Sequence, residues 1–267
     1  MTKSDPSFNR HRLVSSLAQL PQPRKYWVGF SGGADSTALL HALYACSDEL
    51  SAPIQAIHFH HGLQQEADAW LKHCQIFCEQ RNIPCQVHHL DIDANSGNLE
   101  EAAREGRYRS LLELLDRGDV YLTAHHAEDQ AETLFLNLMR GSGIEGLAGI
   151  PPLRRLGRGW VARPLLDSTR RALESYLAQH GVEWINDPSN QDTRFDRNYL
   201  RHELFPSLEK RWPGLASRLA RTARNARTSA NAMAEFIEGQ QGDLIHDSLK
   251  MPLLKLLELE TEMQTLI

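Results

Sequence analysis

The stretch "VGFSGGADSTALLHAL", Val28–Leu43, decides the fold. An apolar run, Tyr26-Trp27-Val28-Gly29-Phe30, meets the tight turn Ser31-Gly32-Gly33-Ala34-Asp35-Ser36. The residues from Thr37 to Leu43 then read as a helix. A turn between a buried strand and a helix aims backbone N–H groups at the crevice above the sheet, and glycine lets an anion approach that backbone closely. The amides of Gly32, Gly33 and Ala34 would donate to phosphate oxygens, with the hydroxyls of Ser31, Ser36 and Thr37 beside them. The positive end of the helix dipole adds to the attraction. The stretch is therefore read as a phosphate cradle. It has neither the Gly-x4-Gly-Lys-Ser/Thr pattern nor the Gly-x-Gly-x-x-Gly dinucleotide turn. Asp35 is the unusual member, because a carboxylate in an anion site is repulsive unless a cation bridges it. Magnesium on a polyphosphate supplies that bridge, so Asp35 is the candidate metal ligand.

Working outward, strand and helix patterns alternate. Strands are expected at Tyr26–Phe30, Ile54–Phe59, Cys85–Leu90 and Val120–Ala124. Helices are expected at Ser36–Ala45, Glu66–Arg81, Leu99–Leu115 and Glu128–Arg140, after an N-terminal helix carrying Leu13, Leu17 and Leu20. Short apolar strands alternating with amphipathic helices indicate an α/β fold, a parallel sheet covered on both faces. Ligands of such sheets sit at the carboxyl ends of the strands. Three polar motifs fall there: "SGGADS" after the first strand, "HHGLQ" after the second and "HHAEDQ" after the fourth.

From Pro151 the texture changes to turn-rich and basic. Between Pro151 and Arg227 there are 15 Lys and Arg against 8 Asp and Glu, a local balance of +7 inside a chain of net charge −5. A basic block in an acidic chain points to a polyanion-facing surface. Arg218, Arg221, Arg224 and Arg227 step by three along a helix spanning Leu215–Glu238. Each step turns about −60°, so they sweep half the circumference, as suits a helix laid on a phosphate backbone or a solvated linker. The expected organisation is a catalytic domain over 1–212, a basic linker helix over 213–240 and the truncated start of a further domain over 241–267. Cys46, Cys74, Cys78 and Cys85 form neither a CxxC pair nor a disulfide framework. No apolar run approaches the roughly 18 residues that span a bilayer, and no signal-peptide core opens the chain. The reading is a soluble, cytoplasmic protein with no membrane partner.

Ser-Gly-Gly-x-Asp-Ser-Thr between a strand and a helix resembles the signature of the PP-loop ATP pyrophosphatases. That resemblance implies a Rossmann-like, adenine nucleotide alpha hydrolase-like domain with a basic helical C-terminal extension, using ATP and Mg2+. The other blocks narrow it. "HFHHGLQ" (His58–Gln64), "NLEEAAREGRYRSL" (Asn98–Leu111) and "TAHHAEDQAETLFLNLMRGSGIEGLAGI" (Thr123–Ile150) resemble blocks of the tRNA(Ile)-lysidine synthetases, in their order. So do "RPLL" (Arg163–Leu166) and "DPSNQDTRFDRNYLRHELFPSL" (Asp187–Leu208). Two departures stand out: Glu128-Asp129 where that family has two aspartates, and Gln64 where it has arginine.

The resemblance implies a two-step ligation. ATP adenylates the 2-oxo group of the wobble cytidine in isoleucine tRNA with a CAU anticodon, and pyrophosphate leaves. Free L-lysine then displaces AMP to give lysidine. Adenylation requires charge neutralisation on the leaving pyrophosphate, which a phosphate cradle with magnesium provides. His125, Glu128, Asp129 and Glu132 share one face by spacing, at a strand end and first helical turn. Acids there could hold the lysine cation or a second metal, or cap the helix. Asp35, Asp129, Arg197 and Arg201 are the catalytic candidates. Arg197 and Arg201, one turn apart, would grip tRNA phosphate or the transferring phosphoryl group. His61, Arg104, Arg107, His125, Glu128 and Glu132 are the substrate candidates. In the late block Asp187 and Asn190 suit a polar network, and Phe195 and Trp184 suit either base stacking or the core. Two rivals share the loop. A tRNA-thiolating enzyme would need paired cysteines, and an amidotransferase would need an ammonia source. A non-catalytic RNA-binding relative is the third.

Overall fold

The computed structural model describes residues 8–60, 62, 66–92, 99–186 and 193–240. In chain order the elements are α1 (Arg10–Leu17), β1 (Lys25–Gly29), α2 (Ala34–Ala45), β2 (Ile54–His60), α3 (Ala67–Glu79), β3 (Cys85–His89), α4 (Leu99–Leu114) and β4 (Asp119–Leu122). Then follow α5 (Ala127–Met139), α6 (Ile144–Leu147), β5 (Leu153–Leu156), β6 (Gly159–Ala162), α7 (Arg170–Gln179), α8 (Asp196–Tyr199), α9 (Phe205–Arg211) and α10 (Leu215–Gln240).

Six strands form one sheet in the order β3-β2-β1-β4-β6-β5. The first five are parallel and β5 joins β6 antiparallel. Side chains alternate between faces with the period of two that a pleated strand imposes. Tyr26 and Val28 of β1 and Val120 and Leu122 of β4 point into the larger core, with Leu13, Leu39, Leu43, Phe77 and Leu173. Trp27 and Tyr121, the residues between them, point into the other layer, with Ile57, Leu111, Leu115 and Val161. Helices α1, α2, α3 and α7 thus cover one face and α4 the other. Burial on both faces makes the strands read as continuous apolar runs.

β1 is followed by β2 on one side, whereas β4 returns to its other side. The strand order reverses between β1 and β4, and in open parallel sheets the ligand crevice lies at that point. The PP-loop turn and the loop before α5 are the two connections that leave there.

The β5–β6 hairpin is a correction. "PPLRRLGRGW" reads as turn-rich connection, but Leu153–Leu156 and Gly159–Ala162 are strands. Four residues bearing two arginines carry too little apolar pattern to announce a strand, and β5 earns its place only as the edge of a sheet already formed. The C-terminal helix α10 lies along α5 and α6. Its Ala220 and Ala223 are buried, and Leu219 packs with Phe205 and Leu200 beside α5. Arg227 donates to the carbonyls of Ala148 and Gly149, 2.6 and 3.0 Å away, closing the end of α6. Arg224 pairs with Asp167 at 2.6 Å. The four arginines therefore divide: two tie the helix to the domain, and Arg218 and Arg221 are exposed. The four cysteines are free thiols, with Cys46, Cys74 and Cys78 buried. Among the described residues no helix is long and apolar enough to cross a membrane.

Candidate active site

The turn after β1 is held by its own side chains. Thr37 Oγ1 donates to the Gly32 carbonyl and Ser36 Oγ to the Gly33 carbonyl, both at 3.1 Å. Ser36 Oγ also accepts from the Ser31 amide at 3.3 Å and lies 3.1 Å from Ser31 Oγ. Gly32 has φ +83°, a conformation open to glycine, and a Cβ there would lie 2.6 Å from Ile185 Cδ1. The Gly32 carbonyl accepts from the Ile185 amide at 2.9 Å, clamping the loop to the chain beyond α7. Gly33 caps α2 without a side chain, so the amides of Ala34, Asp35 and Ser36 have no acceptor within the helix. Of the three amides the sequence calls for, only that of Ala34 is among these; the Gly33 amide instead donates to Ser31 Oγ at 3.4 Å.

Across the crevice, β4 ends and α5 begins. His126, 2% exposed, is the N-cap of α5, and its amide donates to Asp129 Oδ2 at 2.9 Å. Its Nε2 lies 3.5 Å from Asp35 Oδ2 and 3.6 Å from Asp129 Oδ2. Its Nδ1 lies 3.0 Å from Glu128 Oε2, at ion-pair distance but outside hydrogen-bond geometry. Burial opposes charge on this imidazole, yet Asp129, Asp35 and Glu128 together raise its pKa well above the ordinary value. His126 is thus an imidazolium bridging the phosphate loop and α5. Burial likewise raises the Asp129 carboxyl, but His126 and Arg201 more than reverse this and hold it ionised.

Glu132, one turn further, is fully buried. Arg201 chelates it: Nε donates to Oε1 at 2.9 Å and Nη2 to Oε2 at 3.1 Å, with Asp129 Oδ1 3.5 Å from the same nitrogen. Arg197 donates to Thr133 Oγ1 at 3.1 Å and stands 3.8 Å from Glu132 Oε2. Arg201 sits in a π-type segment, Leu200–Leu204, between α8 and α9. The wider turn locally shifts the register between the two arginines, and such segments recur at functional sites. His125 is half-buried. Burial lowers its pKa to about 4, so it is neutral, and its Nδ1 shares a 2.6 Å hydrogen bond with Thr123 Oγ1.

Asp35, Asp129, Glu128, Glu132, Arg197, Arg201 and His125 therefore lie together, of which spacing suggests only the shared face of His125, Glu128, Asp129 and Glu132. Glu128 also has a partner the sequence does not announce: Oε2 accepts from the Arg170 amide at 2.9 Å, capping α7. Arg104 and Arg107 are exposed on α4, around the Tyr108 side of the sheet. His61, Asp187 and Asn190 lie outside the described residues, while Trp184 packs on the core and Phe195 is exposed. Sequence reasoning passes over His126 in favour of His125. The usable signal is its place immediately before α5, where a capping residue faces the loop across the switch point.

Magnesium bound to a polyphosphate takes only one or two protein carboxylates, the rest of its shell being phosphate oxygen and water. Asp35 Oδ1 is buried and has no hydrogen-bond partner among the described residues. An orphaned carboxylate oxygen at the mouth of an amide cradle fits such a cation.

A family profile for the PP-loop domain matches residues 7–208. Among curated relatives, the tRNA(Ile)-lysidine synthase of Pseudomonas fluorescens is 46% identical over 85% of this chain and 51% of its own length. That of Alkalilimnicola ehrlichii is 44% identical over 88% of this chain and 53% of its own. The chain spans about half the length of these relatives. Among solved structures, a U34-tRNA thiolase from Methanococcus maripaludis superposes with a TM-score of 0.65 at 17% identity, covering 81% of this chain and 77% of that one. This last likeness concerns the fold alone. With the profile covering most of the chain, and the loop it describes set at the switch point of a parallel sheet, the chain belongs to the PP-loop domain family, whose membership implies ATP as the nucleotide.

Proposed function

We propose that this chain catalyses the ATP-dependent ligation of free L-lysine to the wobble cytidine of isoleucine tRNA with a CAU anticodon. The observation that carries this reading is the similarity to tRNA(Ile)-lysidine synthases, 40–46% identical over 85–90% of this chain. In this reading Ser31, Gly32, Gly33, Ala34 and Ser36 hold the ATP phosphates, and Asp35 holds Mg2+. The metal, when bound, neutralises charge on the departing pyrophosphate.

The chain's own residues do the rest. The first-turn amides of α2 orient the phosphates toward the crevice between β1 and β4. Arg197 and Arg201, fixed by Glu132, put fixed positive charge beside the transferring phosphoryl group, where preorganised charge lowers a barrier most. Asp35, Glu128, Asp129 and Glu132 set against His126, Arg197 and Arg201 leave the pocket with one net negative charge. That balance suits a cationic amino acid. Asp129 and Glu128, with 16% and 27% of their side chains exposed, would meet the lysine ammonium. His125 stays neutral and so can serve as a hydrogen-bonding partner of the cytidine rather than a competing cation. Arg104, Arg107 and His61 complete the proposed substrate contacts.

The test is pyrophosphate release from ATP with and without the tRNA. Release that requires both ATP and the CAU-bearing tRNA, and falls at least a hundredfold in Asp35→Ala, is expected. Release independent of RNA would contradict an adenylated cytidine.

A further inference from the structure

Several arginines are answered by a nearby acid. Arg24 pairs with Asp119 and Asp116, Arg158 with Asp116, Arg170 with Glu174 and Arg201 with Glu132. Another group gathers on an aromatic ring. Tyr108 of α4 has the Arg154 guanidinium over its ring at 5.0 Å and that of Arg104 at 5.9 Å. Tyr108 also acts electrostatically on Arg163, which is 6% exposed and follows directly on β6. Arg163 Nη1 donates to the Pro151 carbonyl at 2.8 Å, while its buried Nε has no partner. Among the described residues, no carboxylate stands at ion-pair distance from Arg104, Arg154 or Arg163.

Three guanidiniums gathered at one aromatic side chain repel one another. Burial lowers the Arg163 pKa, and although Tyr108 offsets part of this, Arg154 and Arg104 lower it further. Arg163 follows β6, the neighbour of β4 in the sheet, and His125 follows β4. On the outer side of α4, Glu101 and Glu105 share with Arg104 and Tyr108 a groove of about 630 Å³.

We propose that Arg104, Arg154 and Arg163, gathered on Tyr108, bind a phosphodiester of the RNA strand that carries the target base. The inference rests on the tRNA reading above and adds a subsite to it. A nucleotide phosphate is the other source of the same chemistry, and the topology favours RNA. The PP-loop follows β1 and Arg163 follows β6, with β4 between them, so the two anion sites stand about two strand spacings apart, roughly 10 Å. The ATP phosphates already have the α2 amides. A second oxyanion at that distance suits the backbone of a strand whose base enters the crevice. Guanidinium forks are the side chains of choice for phosphate oxygens, and the arrangement reads no base.

The experiment measures binding of a CAU anticodon stem-loop and, separately, of ATP, across a salt series. The proteins are the wild-type chain, Arg154→Ala and Arg163→Lys. Arg154 is exposed on an edge strand, so its removal leaves the core untouched. The expected result is an RNA affinity about fivefold to tenfold weaker in Arg154→Ala, a log–log salt slope shallower by about 0.7, and an equal loss on a stem-loop with another anticodon. Arg163→Lys should lose RNA affinity too, because a point charge cannot replace the fork. ATP affinity should stay unchanged in both. Unchanged RNA affinity and slope in both variants would overturn the inference. So would a loss of ATP affinity with RNA binding intact, which would give the cluster to the nucleotide. If wild-type protein fails to bind the stem-loop, the functional reading itself falls.

Discussion

Glu132 and Arg201 form the most consequential pair in the site, and a double-mutant cycle measures it. Glu132 is fully buried and its two oxygens meet Arg201 nitrogens at 2.9 and 3.1 Å. Removing one member of a buried pair strands the other charge, at about 3–5 kcal/mol. Arg201→Met should fall near about 3 kcal/mol, because Arg197, 3.8 Å from Glu132, supplies part of the lost charge. Glu132→Met leaves Arg201 only Asp129 at 3.5 Å and should also cost about 3 kcal/mol. Replacing both by methionine removes two desolvated charges together, a change that is often neutral in such pairs. The double variant should therefore lie at least about 2 kcal/mol above the sum of the singles. Urea unfolding followed by tryptophan fluorescence reads this. Under the proposed function the same variant should lose lysine ligation despite restored stability, because the guanidinium proposed to stand beside the phosphoryl group is gone. Additive singles, coupled by less than about 0.5 kcal/mol, would refute the pairing. A stable double variant with intact activity would refute the role given to Arg201.

Three further outcomes follow from the same geometry. Gly32→Ala combines a left-handed φ with a contact at 2.6 Å to Ile185, so it should cost about 2–5 kcal/mol and weaken ATP binding; a loss under about 1 kcal/mol in urea unfolding would contradict the clamped loop. His126 has a folded pKa raised above its unfolded value of about 6.5, so its stabilisation is complete below that pH and is lost as pH rises through the folded pKa. The stability difference between wild type and His126→Gln should thus shrink as pH rises above about 6.5, and a difference that grows with pH would reverse the sign. Glu128→Ala removes the acceptor of the Arg170 amide and should cost about 1 kcal/mol through α7, measured as a shift in thermal midpoint, whereas Glu128→Gln should retain most of it.

The sheet and its crevice were legible because their signals are local. Val28–Leu43 carries strand, turn and helix within sixteen residues, and the expected strands fall within two residues of the observed ends. Asp129 and Glu132 were legible by helical spacing. What escaped is tertiary. β5 becomes a strand only beside β6, and no pattern in Leu153–Leu156 says so. The partner of Glu132 stands 69 residues away, where only three-dimensional closure can join them. His126 looked interchangeable with His125, yet a capping position buries one imidazole among three acids and leaves its neighbour neutral. The division of the α10 arginines depends on which face meets α5 and α6, and a three-residue step does not decide that. Arg163 reads as part of a motif, but its want of an acid partner is visible only once the surrounding elements are placed.

The most direct test of the central claim is transfer of radiolabelled lysine to an isoleucine tRNA transcript with the CAU anticodon, in the presence of ATP and Mg2+, with Asp35→Ala and a methionine tRNA transcript as controls. The account predicts ATP-dependent labelling of the isoleucine tRNA that is lost in Asp35→Ala and absent on methionine tRNA. Pyrophosphate release with tRNA present but no lysine on the RNA would contradict it, leaving an adenylating PP-loop enzyme with a different acceptor chemistry.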